Sequence, residues 1–295
     1  MNMLLTLLDI IVPVCAVTGL GYLFARKRQP PPAMEFINTA NVQLFCPALI
    51  FSALLANPFD PAAGWALVAG GAAIILLSGL LLWCVVPAGM QRSTFLMTGM
   101  FRNTGNMGIP LMMLAYGQGA LGDIIVLFVL SNTLHFSLGL WLVSRQQGRW
   151  AWLRNPNVWA AVLGLACARW SSGLPGFLLT TIDMLGQISI PLMLFSLGVR
   201  MATARLQNVA LALRVNLLYL ATGLAAVTLV VQLLPLNSLW INLLVLSAAL
   251  PPAVLNYLIC EQYRTDTDTV ASVVLLGNLL SLLVMPVVIA WTLAG

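Results

Sequence analysis

Charge is what this sequence has least of. Of 295 residues, 13 are basic and 8 acidic, so charged side chains make up 7% of the chain. A typical globular domain carries about 25%. Apolar residues reach 61%, and the mean hydropathy is +0.98. Too little polar surface is left to solvate a water-soluble fold, which excludes a soluble enzyme, a nucleic-acid binder and a disordered chain. The remaining class is an all-α integral membrane protein whose partner is the lipid bilayer. The net charge of +5 rests on so few residues that their placement matters more than their sum.

Cysteine and histidine are scarce as well. Cys15, Cys46, Cys84, Cys167 and Cys260 lie in apolar stretches without a CxxC pair. They read as small buried hydrophobes rather than disulfides or metal ligands. No metal and no cofactor is expected. The N-terminus has no basic stretch before its apolar run, and Arg26-Lys27-Arg28 comes after it. A cleavable signal has the reverse order, so this run reads as a retained first helix.

Cut at polar and Pro/Gly punctuation, the chain yields spans near 5–25, 34–56, 63–86, 93–116 and 120–144, then 156–171, 177–199, 208–233, 239–260 and 267–293. Each has about the 20 residues that a membrane crossing needs. The basic residues alternate along the connections. Arg26, Lys27, Arg28, Arg92, Arg145, Arg149, Arg154, Arg200, Arg205 and Arg264 fall on one set, while the other holds Asp60, Asp123 and Arg169. The positive-inside rule then places the first set in the cytoplasm and both termini outside. Two halves of five helices, 1–147 and 156–295, enter from opposite sides and are joined by a cytoplasmic link at 148–155.

That is the arithmetic of an inverted repeat, and local sequence supports it. Gln43, Pro47, Phe51 and Ser52 in span 2 each lie 144 positions before Gln187, Pro191, Phe195 and Ser196 in span 7. Asn103-Thr-Gly105-Asn106-Met-Gly108-Ile-Pro110 of span 4 corresponds to the stretch of span 9 that holds Pro251-Pro252 and Asn256; aligning Pro110 with Pro251 also superposes Tyr116 on Tyr257. Proline inside a helix removes a hydrogen bond and clashes with the preceding turn. Broken backbone survives in a membrane only where it is buried in protein or lines a watery cavity. Two interrupted helices at corresponding positions point to a midplane binding site. Pro13, Pro47, Pro191 and Pro286 read as kinks.

Several stretches resemble the auxin efflux carrier family of plant auxin exporters and bacterial organic-acid carriers. They are Cys46-Pro47-Ala-Leu-Ile-Phe51, Asn103 with Met107-Gly-Ile-Pro-Leu111, Ile190-Pro191-Leu-Met-Leu-Phe195, Ala248-Ala249-Leu250-Pro251, and the final helix around Ser281 and Pro286. The resemblance implies ten helices with crossed, broken helices 4 and 9. It also implies a scaffold of helices 1, 2, 6 and 7 and a mobile unit of helices 3–5 and 8–10, working as an elevator for an organic anion. A homodimer through the scaffold helices is a further expectation. The link is short, so regulation of the plant long-loop kind is not implied. Arg102 departs from the family pattern, which has proline or a small residue there.

Arg102 lies about ten residues into span 4, roughly 15 Å deep at 1.5 Å per residue. A lone arginine at that depth costs about 2.5 kcal/mol or more. Two readings stay open: its planar fork pairs with a substrate carboxylate, or it satisfies carbonyls freed by the break. On a continuous helix, Asn103 and Asn106 share one face and Arg102 neighbours Asn106. Free N–H groups after Pro110, at a half-helix N-terminus, would add positive dipole. With Gly105, Pro251, Pro252 and Asn256 these residues form the expected anion cradle; Gln43 and Gln187 line its scaffold side or bond neighbouring backbone. His135, near Asn132 and its counterpart Asn278, could carry a coupling proton or bond the broken backbone. Asp9, Asp123, Asp183 and Glu261 lie toward span ends, which favours potential-driven or weakly coupled movement.

The expected function is a secondary carrier of a malonate- or malate-type carboxylate in a bacterial inner membrane, with a monocarboxylate or indole acid as the nearest rival. A membrane-embedded enzyme such as a polyprenyl transferase needs acidic DxxD motifs, and none occurs with suitable neighbours. A sensor needs a soluble module, for which no connection is long enough.

Overall fold

The computed structural model describes residues 3–27, 33–60, 62–144, 151–168, 174–203 and 206–294. Arg28, Arg145, Arg149, Arg169 and Arg205, on which part of the orientation argument rests, lie outside the described residues. Everything regular in the described chain is helical. In order come α1 (Met3–Lys27), α2 (Ala33–Ala40), α3 (Cys46–Ala56), α4 (Trp65–Trp83), α5 (Arg92–Met100), α6 (Ile109–Tyr116) and α7 (Leu121–Leu134). They are followed by α8 (Leu140–Ser144), α9 (Pro156–Ala168), α10 (Gly176–Thr203), α11 (Val209–Leu233), α12 (Ser238–Ala249), α13 (Val254–Tyr263) and α14 (Thr267–Ala294).

Among the described residues seven helices are long and apolar enough to cross a membrane: Leu5–Lys27, Phe36–Ala56, Trp65–Trp83, Gln118–Ser144, Gly176–Ala202, Val209–Leu233 and Thr267–Ala294. The other three expected spans are shorter or interrupted. Span 6 is the 13-residue α9, span 4 is divided into α5 and α6, and span 9 into α12 and α13. Among the described residues three runs widen into π-helix: Asn41–Phe45, Thr104–Gly108 and His135–Gly139. The first ends just before Pro47, which sits in the first turn of α3. The helix runs on through it, from Phe36 to Ala56.

The chain forms two compact units. Unit 1 holds Met1–Gly64, Gly105–Val129 and Leu153–Thr203; unit 2 holds Trp65–Thr104, Leu130–Trp152 and Ala204–Gly295. Within unit 1, α1 packs along α10, and α3 against α9 and α10. Lipid gives helices no hydrophobic reason to associate, so small residues that let backbones touch decide these pairings. A Cβ on Gly21 would strike the Phe195 carbonyl, and one on Gly198 the Thr18 carbonyl. Gly186 and Gly164 similarly admit α3. Gly198→Val should therefore lower the melting temperature and the yield of folded protein, by more than the roughly 1–3 kcal/mol of ordinary overpacking. Gly19→Val, in the same α1 stretch but with open space around it, should leave both unchanged; a thermal melt of detergent-purified variants checks the pair.

Within unit 2, α11 packs against α4, α12 and α14. Tyr219, fully buried on α11, donates its hydroxyl to the Phe95 carbonyl at 2.8 Å, and its ring centroid lies 5.1 Å from that of Phe95. Gly99 makes room for this contact, since a Cβ there would meet Leu82 and Tyr219. The cysteines are all free, but only Cys46 and Cys260 are buried; Cys84 is exposed and Cys15 and Cys167 are half-buried. Burial of all five, expected from their apolar surroundings, is thus corrected: apolar neighbours in a membrane protein mark lipid-facing surface as well as core.

Candidate functional site at two facing helix breaks

Where α5 ends, Phe101 takes an extended conformation (φ −103°, ψ 106°), and helix resumes only at Thr104. Where α12 ends, Leu250 is also extended (φ −56°, ψ 149°), and α13 begins at Val254. Both breaks belong to unit 2, and they face each other. The Asn103 N–H donates to the Pro251 carbonyl at 2.8 Å, and the Ala253 N–H to the Phe101 carbonyl at 3.1 Å. Arg102 and Pro252 lie opposite one another in this isolated antiparallel bridge. They form the narrow kind of pair, whose flanking residues make the hydrogen bonds. The two prolines fit because Pro251 and Pro252 bring no N–H that would need a partner.

Side chains complete the satisfaction of this broken backbone. Asn256, fully buried on α13, donates Nδ2 to the Phe101 carbonyl at 3.0 Å and to Thr98 at 3.4 Å. Asn278 on α14, 1% exposed, accepts from Asn103 Nδ2 at 2.9 Å. Its own Nδ2 donates to Val274 at 2.8 Å and to the Pro252 carbonyl at 3.4 Å. Arg102, 8% exposed, donates Nη2 to the Tyr219 carbonyl, and its guanidinium carbon lies 5.8 Å from the Tyr219 ring centre. Gly223, one turn further along α11, keeps space for this: a Cβ there would come within 3.0 Å of Nη2 and strike the Ala248 carbonyl. His135, 3% exposed, stacks on Phe101 with ring centroids 4.3 Å apart and planes 5° off parallel.

The structure thus brings together Arg102, Asn103, Pro251, Pro252, Asn256, Asn278 and His135, with Asn132 in the same unit. Gly105, Asn106 and Pro110 belong to unit 1. There Gly105 lies close to Phe128, and Pro110 is buried in the first turn of α6. Two local expectations are corrected. Asn103 and Asn106 do not share a helix face, nor does Arg102 neighbour Asn106 across a helical turn, because Arg102 and Asn103 lie outside the helix, in the stretch between α5 and Thr104. The half-helix also starts at Thr104 and not after Pro110, because the π-helical turns carry the chain into α6 ahead of the proline.

Gln43 and Gln187, in unit 1, are exposed, and Gln187 donates Nε2 to Asp183 of its own helix at 2.6 Å. Deeper in that unit, Ser189 donates to Asn41 at 2.9 Å. Sequence reasoning missed Thr98, Phe101, Tyr219 and Gly223. Only the one-turn spacing of Tyr219 and Gly223 on an apolar helix hinted at them.

Among the described residues no group of three or more His, Cys, Asp or Glu side chains could hold a metal. The arrangement offers a buried cation and carboxamide groups, which suits an anion.

Comparison with known proteins bears on what such a site serves. The family described as membrane transport protein matches residues 6–151 and 141–289. A Rhizobium meliloti (strain 1021) protein named as a malonate transporter is 28% identical, over 92% of this chain and 91% of its own length. Auxin efflux carrier component 5c of Oryza sativa subsp. japonica is 30% identical over 52% of this chain and 42% of its own. Auxin efflux carrier component 5 of Arabidopsis thaliana is 28% identical over 48% and 42%. The chain therefore spans less than half the length of these plant relatives.

Proposed function

This chain belongs to the membrane transport protein family, which includes the auxin efflux carriers, and from that premise we propose that it is a secondary carrier of a small dicarboxylate of malonate or malate type. It is a transporter and not an enzyme. The observation that carries the substrate class is Arg102. A buried guanidinium stands at the paired breaks, and its partners, the carbonyl and ring of Tyr219, bear no full negative charge. One Nη2 donor is spent on Tyr219, and the other donors of the fork supply the charge-assisted bonds a carboxylate takes. The 28% identical relative named for malonate supports a short dianion. Asn103 adds polarity beside the guanidinium.

The wider reading is a ten-span inverted repeat in a bacterial inner membrane with both termini periplasmic. In this reading helices 3–5 and 8–10 carry the substrate past a scaffold of helices 1, 2, 6 and 7, and two copies associate through the scaffold helices. Reconstituted into proteoliposomes, the protein should take up radiolabelled malonate saturably, and malate and succinate should compete. The plant relatives favour an aromatic monocarboxylate as the second reading, so indole-3-acetate is assayed alongside. Uptake of indole-3-acetate without malonate would replace the first reading with the second, and uptake of neither would refute both.

A further inference from the structure

His135 is the only histidine of the chain, and it sits in the π-helical turn that follows α7. Its ring lies flat on Phe101, the residue at which span 4 breaks after α5. The polar side chain beside the imidazole is the carboxamide of Asn256. Asn256 Nδ2 is committed to two backbone carbonyls, those of Phe101 and Thr98. The amide therefore cannot turn over without setting oxygen against oxygen, and Oδ1 must face away from both. That Oδ1 is buried with no hydrogen-bond partner, and so is Nε2 of His135. A buried acceptor needs a donor, and a neutral imidazole has one to give, on whichever nitrogen holds its proton.

We propose that His135, as the neutral Nε2–H tautomer, is a positioning residue that locks the Asn256 carboxamide and through it the broken backbone of span 4, after α5. The three residues close a loop. The imidazole stacks on the Phe101 ring, the Phe101 carbonyl accepts from Asn256 Nδ2, and Asn256 Oδ1 faces imidazole Nε2. One proton suffices, because the loop has a single orphaned acceptor. The charged or titratable groups of the neighbouring elements are engaged elsewhere or distant in sequence. After α5, Arg102 is turned to Tyr219. On α13, Tyr257 donates to Glu261 at 2.8 Å, Cys260 is buried, and Tyr263 lies in the last turn. Residues 140–144 of α8 carry none, and Arg92 opens α5 at its far end.

Because His135 is unique, tag-free protein labelled with ¹⁵N-histidine gives one imidazole in NMR, a readout independent of substrate. The expected spectrum has a protonated Nε2 and an unprotonated Nδ1, unchanged between pH 5.5 and 8. In Asn256→Leu the same signal should move toward a mixture of tautomers. A dominant Nδ1–H form, or titration within that range, would overturn the proposal.

Transport tests the consequence and rests on the carrier reading above. His135→Phe keeps the stacked ring and loses the donor. It should raise the KM for malonate about tenfold, the size expected for one buried hydrogen bond, with maximal rate within about twofold. His135→Gln restores a side-chain N–H and should recover most of the affinity. A Phe variant equal to wild type, or a Gln variant as poor as Phe, would refute the positioning role. If wild-type protein moves no malonate, the carrier reading fails while the NMR result still decides the tautomer. If His135→Gln abolishes a pH dependence present in wild type, His135 carries a coupling proton instead and the proposal is wrong.

Discussion

Arg102→Ala should reduce malonate uptake at least about 100-fold, because truncating one partner of a buried charged pair costs about 2–5 kcal/mol. Its melting temperature should barely move. The Tyr219 carbonyl that loses Nη2 still accepts from Thr222 Oγ1 at 3.1 Å. Removing a cation from a membrane-buried position also relieves a desolvation cost of about 2.5 kcal/mol or more. The two roles open to this arginine therefore separate cleanly. A guanidinium that serves only the Tyr219 carbonyl of α11 predicts ordinary uptake, whereas one that binds substrate predicts its loss at a nearly unchanged melting temperature. Arg102→Lys sharpens the test. It keeps a point charge and loses the planar fork, so partial uptake with a raised KM is expected. Uptake by Arg102→Ala within about twofold of wild type would remove the arginine from the site.

Arg102 also shows what the sequence reveals and what it conceals. Hydropathy alone marks the spans, and the observed helix ends fall within a few residues of the expected ones, as at Trp65–Trp83 and Val209–Leu233. The break in span 9 was readable because two consecutive prolines cannot continue a helix. The break in span 4 was visible as a region but misplaced. Pro110 looks like its cause, yet that proline sits comfortably at the start of α6 while the chain opens at Phe101–Asn103. What opens it there is pairing with residues about 150 positions away, through the Asn103–Pro251 and Ala253–Phe101 bonds. No local propensity encodes such a partner. The cation, the asparagines and the histidine could be picked out by residue type, because polar groups are expensive in a membrane. Which carbonyl each one serves depends on tertiary contact. Tyr219 stayed hidden for the same reason, being one apolar-looking residue of a 25-residue helix.

The second large effect is expected at Asn278. Asn278→Leu keeps the volume and removes three hydrogen bonds: one from Asn103, one to Pro252 and one to Val274. Side-chain bonds between membrane helices average only about 0.6 kcal/mol in double-mutant cycles, so the bonds alone would predict a modest loss. Two buried groups are left without partners, however: the Asn103 amide and the Pro252 carbonyl. Each such orphan costs about 1–3 kcal/mol, so the orphans decide the size of the effect. A destabilisation of about 2–4 kcal/mol should follow, with uptake falling about 30-fold or more as the two breaks lose their common support. A double-mutant cycle identifies the source. Asn103→Ala leaves Asn278 Oδ1 unpaired, and Asn278→Ala leaves Asn103 Nδ2 unpaired. The double variant orphans neither of these atoms and should be more stable than the sum of the single losses implies, by about 0.5–2 kcal/mol. Strict additivity in thermal melts would show that the amides do not act as a pair, and Asn278 would then support only the Pro252 carbonyl.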